Sequence, residues 1–167
     1  REQSSARLLS PCRRSLPSSS MASIRVSTAI NATPAQVWAV VETIEDHVEW
    51  MADAEAIRFT GPSRRGVGTT FDCDTKVGPF RLTDAMEITE WDDGHAMGVA
   101  HTGLVIGSGR FTLRPAGAGR TEFRWEEELK FPFWMGGPLR NPVGGRVLAA
   151  IWRRNLKRLK AVVEATL

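Results

Sequence analysis

The sequence predicts an α+β domain: a curved seven-stranded antiparallel sheet wrapped around one long C-terminal helix, with two short helices after the first strand. Three observations lead there. Residues 23 to 31 alternate in hydrophobicity with period two, residues 54 to 131 repeat that pattern between regular turn signals, and the last stretch carries an apolar stripe at steps of three and four. A sheet that grips a helix in this way leaves apolar space between the two layers, and concave apolar space is where small ligands bind.

The first strand places Ile24, Val26 and Ile30 on one face and Arg25, Ser27 and Ala29 on the other. Thr33-Pro34-Ala35-Gln36 then combines an N-cap Thr, a Pro at the first helical position and a Gln three residues after the cap. That is a capping box, and it predicts a helix from Pro34 to about Ile44 with Val37, Trp38, Val41 and Ile44 inward. A second short helix carries Val48, Trp50 and Met51. Turn signals at Gly61-Pro62, Gly78-Pro79, Asp93-Gly94, Gly103 and Ala116 to Gly119 divide the middle of the chain. They predict a meander of strands near 55–60, 68–77, 80–91, 95–102, 107–115 and 120–131. Asn141-Pro142 opens the closing helix, whose stripe runs through Leu148, Trp152, Leu159 and Val162, with Arg153, Arg154, Lys157, Arg158 and Lys160 opposite. At 1.5 Å per residue, about 25 residues span about 37 Å, enough to cross the sheet.

Composition narrows the function classes. The 167 residues suit one domain with a substantial core. The formal charge of +3 comes from residues 1 to 20, which hold four Arg and one Glu, so residues 21 to 167 are balanced and no nucleic-acid partner is expected. Those first residues also hold seven Ser and two Pro, and they read as a disordered leader or a remnant ahead of Met21. Their Arg- and Ser-rich, acid-poor character also fits an organelle-targeting segment. The domain is therefore expected to span 21–167. Of two cysteines, Cys12 falls in the leader and Cys73 has no partner, so the expectation is a reducing cytoplasm without disulfides. No stretch reaches the roughly 18 apolar residues of a membrane span.

The segment Ala32-Thr33-Pro34-Ala35-Gln36-Val37-Trp38, the later Asp46-His47-Val48-Glu49-Trp50, the Gly66-Val67-Gly68-Thr69 entering a strand and the long closing helix together resemble the START-like (SRPBCC) superfamily. Its members include polyketide cyclases and dehydrases, coenzyme Q-binding proteins, lipid carriers and pollen-allergen-type binders. The resemblance covers about residues 22 to 165 and implies a helix-grip fold with a hydrophobic cavity. It transfers no shared catalytic signature.

Strand parity then selects the residues that face the cavity. Asp84 shares a face with Phe80, Leu82, Met86 and Ile88, His101 with Met97 and Val99, and Glu127 with Phe123, Trp125, Leu129 and Phe131. Buried carboxyls rise in pKa, so Asp84 and Glu127 are candidate acids, and His101 a base or relay. Each has an alternative. A one-residue bulge would turn Asp84 outward, Glu127 belongs to the acidic run Glu126-Glu127-Glu128, and His101 stands two residues from Gly103 at a strand end. Trp38, Phe71, Met86, Met97, Phe111, Trp125 and Trp152 are expected to line the cavity. Cys73 and Thr75 share the face of Phe71 and Val77, and Asn155 interrupts the helix stripe as a further polar anchor. The segment 131–138, with Phe133 and Trp134, reads as a lid, as a plug, or as a transient membrane contact with Arg140 near headgroups.

The strand arginines Arg25, Arg58, Arg81, Arg110, Arg114 and Arg124 all fall on outward parity, and the chain has no Tyr. An enzyme that stabilises an enolate needs inward donors, so the reading is a carrier or binding protein for a hydrophobic or amphipathic molecule. The alternative is a cyclase or dehydratase using Asp84, His101 and Glu127, and a third is an interaction module using the basic helix face. No metal and no cofactor is expected: His95 and His101 would stand about 20 Å apart along a strand, and Gly107-Ser108-Gly109 lacks the residues of a phosphate loop.

Overall fold

A computed structural model describes residues 21–131 and 142–167. The expectations for the leader and for the lid segment, including Phe133, Trp134 and Arg140, lie outside the described residues. The chain runs β1 (Ala22–Ile30), α1 (Pro34–Val41), a 3₁₀ turn (Ile44–Asp46), α2 (His47–Trp50), then β2 (Ala54–Phe59) and β3 (Thr70–Val77). It continues with β4 (Phe80–Asp92), β5 (Ala96–Thr102), β6 (Ile106–Pro115) and β7 (Thr121–Lys130), and closes with the long helix α3 (Pro142–Ala165). All seven strands form one antiparallel sheet in the order β1-β7-β6-β5-β4-β3-β2. The two short helices therefore carry the chain from one sheet edge to the other, and the meander returns it strand by strand.

Local chemistry explains the boundaries. Thr33 caps α1 through the amide of Gln36, and the Gln36 side chain accepts in return from the Thr33 amide at 2.8 Å. The helix ends at Val41, three residues before the expected limit, because Thr43 takes an extended conformation (ψ 92) and a tighter turn follows. Along β7 the burial alternates almost without fault, Phe123, Trp125, Glu127 and Leu129 in and Glu128 and Lys130 out. In β4 the register slips between Ile88 and Glu90, which inserts Thr89 as an extra residue opposite Val99 and Gly98. The bulge lies beyond Asp84, so Asp84 keeps its inward parity.

On α3 the buried stripe is Leu148, Trp152, Asn155, Leu156, Leu159 and Val163, while Val162 is only half-buried. That corrects the expected end of the stripe by one residue, as the 3.6-residue period carries it forward. Arg153, Arg154, Lys157 and Arg158 are exposed as expected, but Lys160 folds back, donating to the Ala29 carbonyl at 2.6 Å and pairing with Glu164 at 2.8 Å. The Asn31 amide donates to the same Glu164 at 2.8 Å. These bonds tie the end of α3 to the end of β1. Among the described residues, no helix is long and apolar enough to cross a membrane.

Candidate functional site

Between the sheet and α3 lies a cavity of about 370 Å³. Strand side chains of β3 to β7 build one wall, and Leu148, Ile151 and Trp152 of α3 build the other. One side of the space is closed by aromatic rings stacked edge to face: Phe111 on Trp125 at 5.1 Å, Trp125 on Trp152 at 5.6 Å and Trp50 on Trp125 at 6.0 Å. Such packing fixes the rings without filling the cavity.

Three titratable side chains from adjacent or near-adjacent strands converge in this apolar setting. His101 of β5 stands between Asp84 of β4 and Glu127 of β7, with Nδ1 2.5 Å from Asp84 Oδ2 and Nε2 4.0 Å from Glu127 Oε1. Gly109 of β6, opposite both Val99 and Glu127, carries no side chain to separate them. Trp125 Nε1 donates to Glu127 Oε1 at 2.9 Å. The side chains of His101 and Asp84 are each 6% exposed, and that of Glu127 is 7%. Asp84 Oδ1, His101 Nε2, Glu127 Oε2 and Trp152 Nε1 have no hydrogen-bond partner among the described residues. Buried polar atoms left open in this way are costly, so they mark places where a ligand's own polar atoms are welcome.

Electrostatics gives each group a definite character. Burial raises the Glu127 carboxyl to about 7, against the opposing pull of His101 and the bond from Trp125. For His101 burial acts downward, but the bond to Asp84 and the charges of Glu127 and Asp84 outweigh it and raise its pKa. Imidazolium beside a neutral carboxylic acid is thus the favoured arrangement in mildly acidic solution. His101 is equipped to donate a hydrogen bond more than to abstract a proton. Burial also raises the Cys73 thiol to about 11, which removes it as a nucleophile near neutrality.

Among the wall residues that the sequence did not single out are His47 and Asp53. His47 of α2 is buried against Trp50 and Phe111, with centroids 5.0 Å and 6.1 Å away. Its Nε2 lies 2.7 Å from the Val41 carbonyl, so that nitrogen carries the hydrogen and donates. Burial depresses its pKa to about 4 despite that bond, so it stays neutral. The spacing of His47 and Trp50, one helical turn apart, was the available signal. Asp53 also lines the cavity, and it accepts from Asn155 Nδ2 at 2.6 Å.

Asn155 itself is not on the cavity wall. It is fully buried and clamps α3 to the loop before β2, accepting from the Ala52 amide at 2.9 Å as well as donating to Asp53. Trp38 is also outside the wall, a correction to the expected lining: it is buried, edge to face with Trp91 of β4 at 5.3 Å. A tryptophan on the inner side of a helix meets whichever strand lies beneath it, and periodicity cannot say which. Phe71, Cys73, Thr75, Met86, Met97, Phe111, Trp125 and Trp152 do line the cavity, with Asp84, His101 and Glu127. The arginines keep outward parity, although Arg110 also touches the cavity wall, and five pair with carboxylates: Arg25 with Glu126, Arg58 with Asp74, Arg81 with Glu55, Arg110 with Glu90 and Arg124 with Glu122. Among the described residues, no three His, Cys, Asp or Glu side chains are placed to share a metal ion.

Two glycines make room for the cluster. A Cβ on Gly109 would stand 3.1 Å from Glu127 Oε1 and from Val99 Cγ1. One on Gly103 would stand 2.7 Å from the Ala85 amide nitrogen and 3.0 Å from Asp84 Oδ1. The contact at Gly103 is closer than real Cβ atoms come, and those at Gly109 would require Glu127 or Val99 to give by a few tenths of an ångström, so the missing side chains help the carboxylates reach their positions.

A meander that grips a long helix around an apolar cavity with inward polar anchors defines the helix-grip, START-like class. The chain belongs to the polyketide cyclase / dehydrase and lipid transport family, whose model matches residues 21–164. Solved structures share the fold at low identity. TTHA0849 from Thermus thermophilus is 20% identical with a TM-score of 0.74, covering 86% of this chain and 98% of that one. A START superfamily protein from Mycobacterium smegmatis is 11% identical with a TM-score of 0.73, covering 87% and 99%. The Zhui aromatase/cyclase from Streptomyces sp. R1128 is 15% identical with a TM-score of 0.67, covering 87% and 94%. No curated protein matches the chain in sequence.

Proposed function

We propose that the protein binds a hydrophobic small molecule carrying one polar oxygen-bearing group, with the apolar body in the cavity and the polar group at His101 and Glu127. The observation that carries this reading is the set of open polar atoms on the wall of an apolar space of about 370 Å³. A space of this size is within the range of small-molecule sites. His101 Nε2 and the neutral form of Glu127 each offer a hydrogen to a ligand oxygen, and Trp152 Nε1 offers a third. The outward, acid-paired arginines leave no unpaired guanidinium among the described residues of the wall to stabilise an enolate, which favours holding over turnover.

Native mass spectrometry of the gently purified protein, followed by denaturing extraction, tests the reading. A lipid, quinone or polyketide-like molecule released near stoichiometrically supports it. Failure to bind any of a panel of such molecules added back at micromolar concentration overturns it.

The second reading is a dehydratase or cyclase, favoured by one observation: three titratable groups meet at one buried point. In that reading the neutral Glu127 gives its proton to a leaving hydroxyl, which departs as water, and Asp84 or His101 takes a proton from the carbon beside a carbonyl. Asp84→Asn and Glu127→Gln preserve shape and remove titration. Loss of turnover with retained affinity in both would favour the enzyme, and changed affinity with no turnover in the parent favours the carrier.

A further inference from the structure

We propose that the cavity selects ligands whose polar group is uncharged, a ketone, quinone carbonyl or alcohol, and rejects carboxylates of equal apolar bulk. This rests on the ligand-binding reading and deepens it by naming a ligand class. The titratable groups around the space are mostly acidic. From β4 comes Asp84, from β7 Glu127 and from the loop before β2 Asp53, all carboxyls. Against them stands His101, already engaged by Asp84 at 2.5 Å and 4.0 Å from Glu127.

Among the described residues, the other elements add no unpaired positive charge. On α2, His47 is held neutral, since its pKa is depressed to about 4 by burial. On β3, Cys73 is an un-ionised thiol because burial lifts it to about 11. On β6, Arg110 reaches the wall but its guanidinium binds Glu90 at 2.6 Å and 2.7 Å. The described part of α3 presents Val147, Leu148, Ile151 and Trp152 to the cavity, none of them charged.

An anionic ligand entering this space meets carboxylates with no uncompensated cation among the described residues to receive it, and it loses its hydration shell as well. A neutral carbonyl has no such difficulty: it accepts from the open His101 Nε2, from protonated Glu127 or from Trp152 Nε1, and it satisfies atoms that are otherwise stranded. Deprotonation of Glu127, whose carboxyl burial raises to about 7, strengthens the rejection in mildly alkaline solution.

The test uses a matched pair, 2-undecanone and undecanoate, each displacing the uncharged fluorescent probe N-phenyl-1-naphthylamine from the full chain at pH 8. The expected result is saturable probe binding and displacement by the ketone at a concentration lower by about tenfold or more, the factor corresponding to one pKa unit of electrostatic preference. Because a ketone also leaves water more readily than a carboxylate, the deciding readout is the same ratio in Glu127→Gln, folded by near-UV circular dichroism. Removing one negative charge narrows the preference if the cavity's charge creates it. Should that variant not fold, Asp53→Asn, which also takes one negative charge from the wall and leaves the Asp84–His101 bond in place, gives the same reading. Undecanoate binding as well as the ketone, or an unchanged ratio in the folded variant, overturns charge selection while leaving the cavity reading intact. No saturable probe binding, with neither chain displacing it, overturns both.

Discussion

Replacing Glu127 by Gln keeps the side-chain volume and an acceptor for Trp125 Nε1 but deletes a titration that folding shifts. The Glu127 carboxyl moves from 4.5 in the unfolded chain to about 7 in the folded one, because burial penalises its charge. At 1.36 kcal/mol per pKa unit that difference is worth about 3 kcal/mol. The folded state binds the proton more tightly, so this stability is fully present below pH 4.5, declines as pH rises, and is gone above about 7. His47 does the reverse. Burial takes it from 6.5 to about 4, so its contribution is fully present above pH 6.5 and declines as pH falls toward 4. In the shared window, between roughly pH 5 and 6.5, folding in effect releases a proton from His47 and takes one up at Glu127, and the two slopes nearly cancel. The parent protein should therefore show little contribution from this pair across the window. Glu127→Gln unmasks His47: its stability relative to the parent should rise by about 2 kcal/mol from pH 5 to 6.5. His47→Gln, which retains a donor for the Val41 carbonyl, should fall relative to its parent by a similar amount. Urea unfolding at fixed ionic strength, with midpoint and slope both recorded at each pH, measures these differences. A constant offset between Glu127→Gln and the parent would refute the claim that Glu127 is a buried carboxyl with a raised pKa.

Four further outcomes are expected. Asp84→Asn removes the hydrogen bond and charge that hold His101 up, leaving burial to dominate, so the His101 pKa should drop below 6.5 in an NMR titration; an unmoved titration contradicts the Asp84 contact. Asn155→Ala leaves the Ala52 amide and Asp53 without partners and should cost about 2 to 3 kcal/mol in unfolding experiments, against which a loss under about 0.5 would count. Gly107→Ala would set a Cβ 1.9 Å from the Glu128 carbonyl oxygen, so β6 and β7 cannot pair as they do, and the variant should fail to fold cooperatively. Gly109→Ala crowds Glu127 and Val99 at 3.1 Å and should cost about 1 to 3 kcal/mol while also moving the Glu127 titration. A purely structural glycine would produce the first effect without the second.

Much of this arrangement was legible because β-strand parity is strict where nothing interrupts it. Phe123, Trp125, Glu127 and Leu129 alternate cleanly, so Glu127 could be placed inward although its neighbours Glu126 and Glu128 make the segment look like a solvated acidic run. Asp84 was legible for the same reason, and the bulge that would have reversed it sits five residues later, at Thr89. Pairings across strands were not legible. That His101 would bridge Asp84 and Glu127 depends on register, His101 lying opposite Met86 on one side and Gly107 on the other, and a single sequence does not encode register directly. Helical residues were harder still. Trp38 and Asn155 are buried as their positions suggest, but helix periodicity gives an inward side and not the neighbour met there, so one packs on Trp91 and the other clamps a loop. His47 escaped notice because its burial comes from an aromatic cluster assembled by tertiary packing.

In the proposed complex an apolar ligand places its polar oxygen against His101 within the cavity, and this placement can be observed directly. It is tested most directly by titrating 2-undecanone into the protein labelled with ¹⁵N at histidine and at tryptophan indole. Saturable shifts are expected at His101 Nε2 and at the Trp125 and Trp152 indoles, with the surface residue His95 unmoved. Saturable binding that shifts His95 or other exposed positions and leaves His101, Trp125 and Trp152 unchanged would contradict it.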